Sequence, residues 1–141
     1  MEKLSKGIRD FNQVAREIDA AYHLAAKQIG LSDSQRDILY ILCQEQASQA
    51  DICNMTGLSK QTVNSSVQHM VRDGYLQPLS GEKNEKLKLT ETGSAFAERT
   101  IAKLIHAENA VFSSWSEENR ELFIALNRNY LEAFLEELRK M

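Results

Sequence analysis

Residues 49–71 read QADICNMTGLSKQTVNSSVQHMV, and the order of residue types in this stretch decides the fold. Gln49 to Asn54 suit a short helix. Gly57 follows where the chain needs a left-handed or sharply turned residue, a conformation that costs least without a Cβ. A second helix starts promptly at Ser59, whose hydroxyl can cap the free N–H groups of the first turn. Its side chains divide by helical spacing: Val63, Val67, Met70 and Val71 share one face, while Lys60, Gln61, Thr62, Asn64, Ser65, Gln68 and His69 occupy the rest. Ile52, Leu58, Val63 and Val67 are spaced to pack the two helices together, with Cys53 as a small side chain where they cross. A helix, a glycine turn and a second helix with a polar outer face make a helix-turn-helix.

Upstream of this motif, Phe11, Val14, Ile18, Tyr22, Ala25 and Ile29 recur every three or four positions, the pattern of one buried helical stripe, and Gly30 ends that helix. Ser32 or Ser34 can cap the next helix, where Ile38, Leu39, Ile41 and Leu42 are dense enough to centre the core. Downstream, Gly74 terminates the motif's second helix. The segment LSGEKNEKLKLT, residues 79–90, then carries turn formers at Gly81 and Asn84 and alternates Leu87 and Leu89 with Lys86 and Lys88, which predicts a short β-hairpin. Thr92 and Gly93 open a long helix bearing Phe96, Ile101, Leu104, Ile105 and Phe112. SEENREL from Ser116 begins a last helix striped by Leu122, Leu126, Tyr130, Ala133, Phe134 and Leu138. The terminal stripes need cover, either within one chain or from a second copy across a two-fold axis. The expected fold is mainly α with a small β-hairpin wing: a winged helix-turn-helix plus N- and C-terminal helices. As domains, that is a single domain over 1–141, with a winged-helix lobe at 32–92 and a helical lobe formed by 1–30 and 93–141.

Composition excludes several function classes. Charged residues make up 26% of the chain and no apolar run approaches the roughly 20 residues of a bilayer-spanning helix, so a membrane role is not expected. The start, MEKLSKGIRDFN, has no signal-peptide apolar core, and a cytoplasmic location fits. Cys43 and Cys53 stand among apolar neighbours without a second pair or a His at ligand spacing, which argues against a disulfide framework or a zinc site. Packing is the favoured role for both, since neither has a cationic neighbour in sequence that would activate it as a sensor. His23, His69 and His106 are too scattered to define a metal site. No P-loop, dinucleotide turn, nucleophile elbow or paired His/carboxylate motif occurs, so neither an enzyme nor a cofactor is expected.

The motif's second helix offers a specific chemistry. Its N-terminus, with Ser59 and Lys60, favours a phosphate, and Gln61, Thr62, Asn64, Ser65 and Gln68 carry groups suited to base edges in a DNA groove. His69, late in the helix, suits a phosphate more than a base, and Arg72 is open to pairing with Asp73 or a nearby Glu. The plain alternative for Lys60 to His69 is a solvated helix face. With a net charge of −3 and only a slight basic excess around residues 57–92, DNA affinity is expected to be modest, salt-sensitive and dependent on two half-sites.

Over nearly its whole length the sequence resembles the multiple antibiotic resistance regulator (MarR) family of bacterial transcription factors. The resemblance lies in the long first helix, in GLSKQTVNSSVQHMVRDGYL at residues 57–76, and in LKLTETG at residues 87–93. It implies an obligate homodimer joined through the terminal helices and repression at a pseudo-palindromic DNA operator. It further implies a small-molecule effector pocket, for which Phe11, Tyr22, Phe112 and Trp115 are candidates, although core packing is the favoured fate of each. The wing departs from the family pattern of an Asp and an Arg near a longer tip: Gly81 stands roughly at the acid's place and Lys83 at the Arg's. Lys83 and Lys86 are therefore expected to touch phosphates and add affinity more than sequence choice. The competing reading is a winged helix that serves as a protein-interaction or architectural module.

Overall fold

Serine or threonine opens every helix but one. The computed structural model describes residues 1–141 and contains α1 (Lys6–Gln28), α2 (Asp33–Gln44), α3 (Gln49–Thr56), α4 (Lys60–Arg72), α5 (Glu91–Arg99), α6 (Ile101–Ser114) and α7 (Glu117–Arg139). Ser5, Ser32, Ser48, Ser59, Thr90 and Ser116 each take extended backbone and accept a backbone N–H of the first turn. At Ser32 and Ser48 the side chains of Gln35 and Asp51 return the bond to the cap's own N–H, completing capping boxes. The chain divides into two units, Met1–Leu104 and Ile105–Met141.

In the first unit α2 is the central element, packed against α1, α3, α4 and α5. Ile38 and Leu39 of α2, Ile52 of α3 and Val63, Val67 and Met70 of α4 are sealed from solvent, so the apolar spacing seen in sequence is the spacing that closes the core. Leu58 is partly covered. Truncating a side chain such as Ile52 to Ala costs about 2–5 kcal/mol in a core of this density.

The hairpin is reduced to isolated antiparallel bridges, Leu76 with Leu89 and Ala47 with Leu87. Gln77 N–H donates to Lys88 O at 2.9 Å, and Thr90 N–H to Tyr75 O at 3.0 Å. Leu87 N–H donates to Ala47 O at 2.8 Å, which recruits the α2–α3 connection as a third segment that no periodicity had marked. The predicted alternation holds: Leu76 and Leu87 are buried, and Lys86 and Lys88 are exposed.

Two expectations about the helices change. The long helix placed after Thr92 and Gly93 starts from a Thr90 cap and breaks at Thr100, which leaves helical backbone (φ −121, ψ −84) while its hydroxyl donates to Phe96 O at 2.7 Å. Gly93 lies inside α5, where a Cβ would stand 2.0 Å from Tyr75 O; glycine here permits the backbones of α5 and the wing base to touch. The α1 stripe is not buried in the single chain: Phe11, Val14 and Ile18 are 41–53% exposed.

The second unit has a small aromatic cluster, in which Phe112, Trp115 and Phe123 meet with centroid separations of 5.2 to 5.9 Å. Arg120 donates to Phe112 O at 3.0 Å across the α6–α7 turn. α7 buries no residue, and Leu122, Phe123, Ile124, Leu126, Tyr130, Leu131, Phe134, Leu135 and Leu138 are all exposed.

Candidate nucleic-acid interface

The turn between α3 and α4 is closed by local polar contacts. Gly57 takes the left-handed conformation at φ 75 and donates to Cys53 O, while Thr56 Oγ1 donates to Ile52 O at 2.7 Å and accepts Leu58 N–H at 3.1 Å. The Thr56 hydroxyl thus bridges the end of α3 to the entry of α4. Sequence reading passed over it, because a threonine before a glycine carries no distinctive signal.

At the start of α4, Ser59 Oγ accepts Thr62 N–H at 3.1 Å and donates to Thr62 Oγ1 at 2.9 Å. Asp33 and Asp51 stand in the first turns of α2 and α3, but no acid occupies the first turn of α4. The positive end of the α4 dipole is therefore left unneutralised, with the exposed Lys60 beside it, which favours an anion there.

Ser59, Lys60, Gln61, Thr62, Asn64, Ser65, Gln68 and His69 are all exposed, so the residues expected to meet DNA form one solvent-facing surface. Arg72 joins them. It makes none of the ion pairs open to it in sequence, and it continues the row Gln61, Ser65, Gln68 at helical spacing. On the inner face Val71 is only partly covered, and Ser66, 8% exposed, takes a buried place. Its hydroxyl meets Ser34 Oγ at 2.6 Å, a directional bond between α2 and α4 beside otherwise apolar contacts. Helical spacing sets Ser66 on the face of Val63, Val67 and Met70 and Ser65 on the outer one.

The wing residues differ from one another. Lys83 is exposed and unpaired at the tip. Lys86 Nζ lies 2.7 Å from Asp51 Oδ2, so its charge is largely answered within the protein. The Lys86 ammonium, and after it the Ser48 N–H donated to the same carboxylate at 2.9 Å, hold the Asp51 pKa down to about 2.

The remaining candidates occupy separate places. Cys43 and Cys53 are free and partly covered; burial, with Glu98 nearby, raises the Cys43 pKa and disfavours its reactive thiolate. His23 Nδ1 pairs with Asp33 at 2.8 Å, and the Arg36 guanidinium lies over the Tyr22 ring. No three His, Cys, Asp or Glu side chains gather as a metal site, and no helix is long and apolar enough to cross a membrane.

Comparison with known proteins gives the same architecture. The MarR family model matches residues 29–83, which contain α2, the helix-turn-helix and the wing tip. No protein in the curated comparison matches the chain. Among solved structures, a MarR family regulator from Neisseria meningitidis is 25% identical with a TM-score of 0.67, covering 91% of this chain and 97% of its own. The MepR–DNA complex of S. aureus is 18% identical with a TM-score of 0.66, covering 94% and 99%. Staphylococcus aureus MarR in complex with salicylate and kanamycin is 17% identical with a TM-score of 0.69, covering 94% and 92%. The MarR family model thus matches the winged helix-turn-helix, and the fold is shared along most of the chain with structures of such regulators.

Proposed function

We propose that the protein is a homodimeric transcriptional repressor that binds a pseudo-palindromic DNA site and is released by a small-molecule effector. The observation that carries the DNA reading is the unneutralised N-terminus of α4 continuous with the exposed row Gln61, Asn64, Ser65, Gln68 and Arg72. Asn and Gln can bond adenine in a bidentate manner, and Lys60 and Arg72 supply phosphate contacts at opposite ends of the row. Residues 32–92 would serve as the DNA-binding lobe, and 1–30 with 93–141 as the dimerisation lobe.

The dimer is supported by uncovered apolar surface. α7 buries nothing within the chain, and Phe11, Val14 and Ile18 of α1 are exposed as well. A second copy covering both terminal helices would remove this surface from water and set two α4 helices at a fixed spacing. Half-sites about one helical turn, roughly 34 Å, apart would follow.

Effector release draws on the salicylate complex of the structural relative and on a cavity of about 260 Å³ lined by Gly30, Leu31, Gln35, Met70, Asp73, Tyr75 and Phe96. A ligand there would touch the end of α4 and could act only by binding differently to two settings of that helix. The alternative, a protein-interaction module, draws on the net charge of −3 and on the Lys86–Asp51 pair. Sedimentation and a DNA titration of the intact chain test the proposal together. A dimer that prefers one duplex over its scrambled counterpart supports it; a monomer indifferent to sequence contradicts it.

A further inference from the structure

The wing tip is a short polar loop without a core of its own. Gly81 (φ 85) and Asn84 (φ 57) take left-handed backbone, so the segment reverses tightly, and only the partly covered Leu79 is apolar between Pro78 and Leu87. Its order comes from one carboxylate. Glu85 accepts Ser80 N–H at 3.0 Å, the Ser80 hydroxyl at 2.9 Å and Gly81 N–H at 3.1 Å, while Ser80 Oγ accepts Glu82 N–H at 3.3 Å. These bonds tie the two limbs of the loop together below Lys83. At the base, the Lys86–Asp51 pair joins the loop to the first turn of α3, whose capping box already fixes Asp51.

We propose that Glu85 is the positioning residue of the wing, holding the loop from Ser80 to Glu85 in the form that presents the Lys83 ammonium to a DNA phosphate. This rests on the DNA-binding reading above. It gives a role to an acid whose charge alone opposes binding: a carboxylate beside a polyanion repels it, so Glu85 promotes binding only through the geometry it imposes. The roles then separate by chemistry. Lys83 touches the phosphate, Glu85 acts through Lys83, and the Lys86–Asp51 pair anchors the loop to the helix-turn-helix.

The sign of one substitution separates positioning from charge. Fluorescence anisotropy of the full chain with a labelled random-sequence duplex of about 30 base pairs, at several salt concentrations, is the assay. Glu85→Gln and Glu85→Ala should weaken binding, by about two- to fivefold, although each removes a negative charge. Lys83→Ala should weaken it similarly and flatten the salt slope by about 0.9. In the Glu85→Ala background Lys83→Ala should add little. Binding that strengthens or stays unchanged in both Glu85 variants overturns the proposal, as does an undiminished Lys83→Ala effect without Glu85. Amide exchange of the DNA-free protein gives a second reading: Ser80 and Gly81 N–H should exchange faster in Glu85→Ala, and unchanged exchange overturns the clamp. Wild-type protein that binds no duplex at low salt overturns the role of Lys83 through failure of the DNA reading itself. Exchange at Ser80 and Gly81 then shows whether the clamp exists apart from DNA.

Discussion

Substituting Gly93 with Ala tests how α5 is seated on the wing base. An added Cβ would stand 2.0 Å from Tyr75 O and 2.8 Å from Tyr75 C, against an ordinary contact distance of roughly 3.5 Å. Both atoms are backbone, so no side chain can swing aside, and α5 must lift by more than about 1 Å. That movement strains or breaks Thr90 N–H to Tyr75 O (3.0 Å), the bond from the Thr90 hydroxyl to Gly74 O, and the parallel stack of Tyr75 on Phe96 at 4.1 Å. Overpacking costs about 1–3 kcal/mol and each weakened hydrogen bond about 1 kcal/mol, while Ala returns about 1 kcal/mol of helix propensity. The net is about 2–4 kcal/mol, or roughly 8–15 °C in melting temperature for a chain of this length. Circular dichroism melts at one fixed protein concentration read this directly, since association would otherwise move the midpoint. Gly7→Ala is the control: its Cβ would meet nothing within 4 Å and its backbone is ordinary helix, so it should be neutral or slightly stabilising. A Gly93→Ala protein melting within about 2 °C of wild type would refute the close approach.

Arg72→Ala should weaken binding to specific and random duplexes alike and reduce the salt slope by about one, as expected of a phosphate contact; an effect confined to one sequence would make Arg72 a base reader. Gln61→Ala and Asn64→Ala should each cost about 1–3 kcal/mol on a preferred sequence and much less on random DNA, read by competition titration. The acid limit of the wing follows from its two carboxyls. Asp51 is lowered to about 2 chiefly by Lys86 and then by the Ser48 N–H and hydroxyl, and Glu85 is lowered by Ser80 and Gly81. A carboxyl whose folded pKa is depressed stabilises fully above its unfolded value and loses that stabilisation as pH falls through the folded one. The wing contacts should therefore be constant from pH 8 to about 5, weakening below, with the Ser48 amide resonance following Asp51 to a midpoint near 2. A midpoint at the ordinary aspartate value would contradict the Lys86–Asp51 tie.

What the sequence disclosed and what it withheld follow a physical division. Gly57, Ser59 and the spacing of Val63, Val67 and Met70 act within one or two helical turns, so the helix-turn-helix and its outward polar face could be read directly. Contacts made by folding could not. Ala47 pairs with Leu87 from a segment without strand periodicity, and Lys86 finds Asp51 across a separation of 35 residues. Ser66 shares the inner face of α4 by its spacing from Val63 and Met70, but its partner Ser34 lies 32 residues away in sequence. Thr90 and Thr92 are both capping residues by type, and the close approach of Tyr75 to Gly93 places the latter inside α5. The terminal stripes were legible as apolar faces, but one chain leaves them open to solvent.

The central claim is that the α4 face chooses a DNA sequence. It is tested most directly by selecting duplexes from a randomised library with the full chain, then titrating the enriched duplex and its scrambled counterpart by anisotropy with wild type and a Gln61→Ala/Asn64→Ala double variant. The expected result is an enriched palindrome with half-sites about 10 base pairs apart, preferred over the scrambled sequence by wild type and not by the double variant. No enriched sequence, or a preference that survives in the double variant, would contradict the claim.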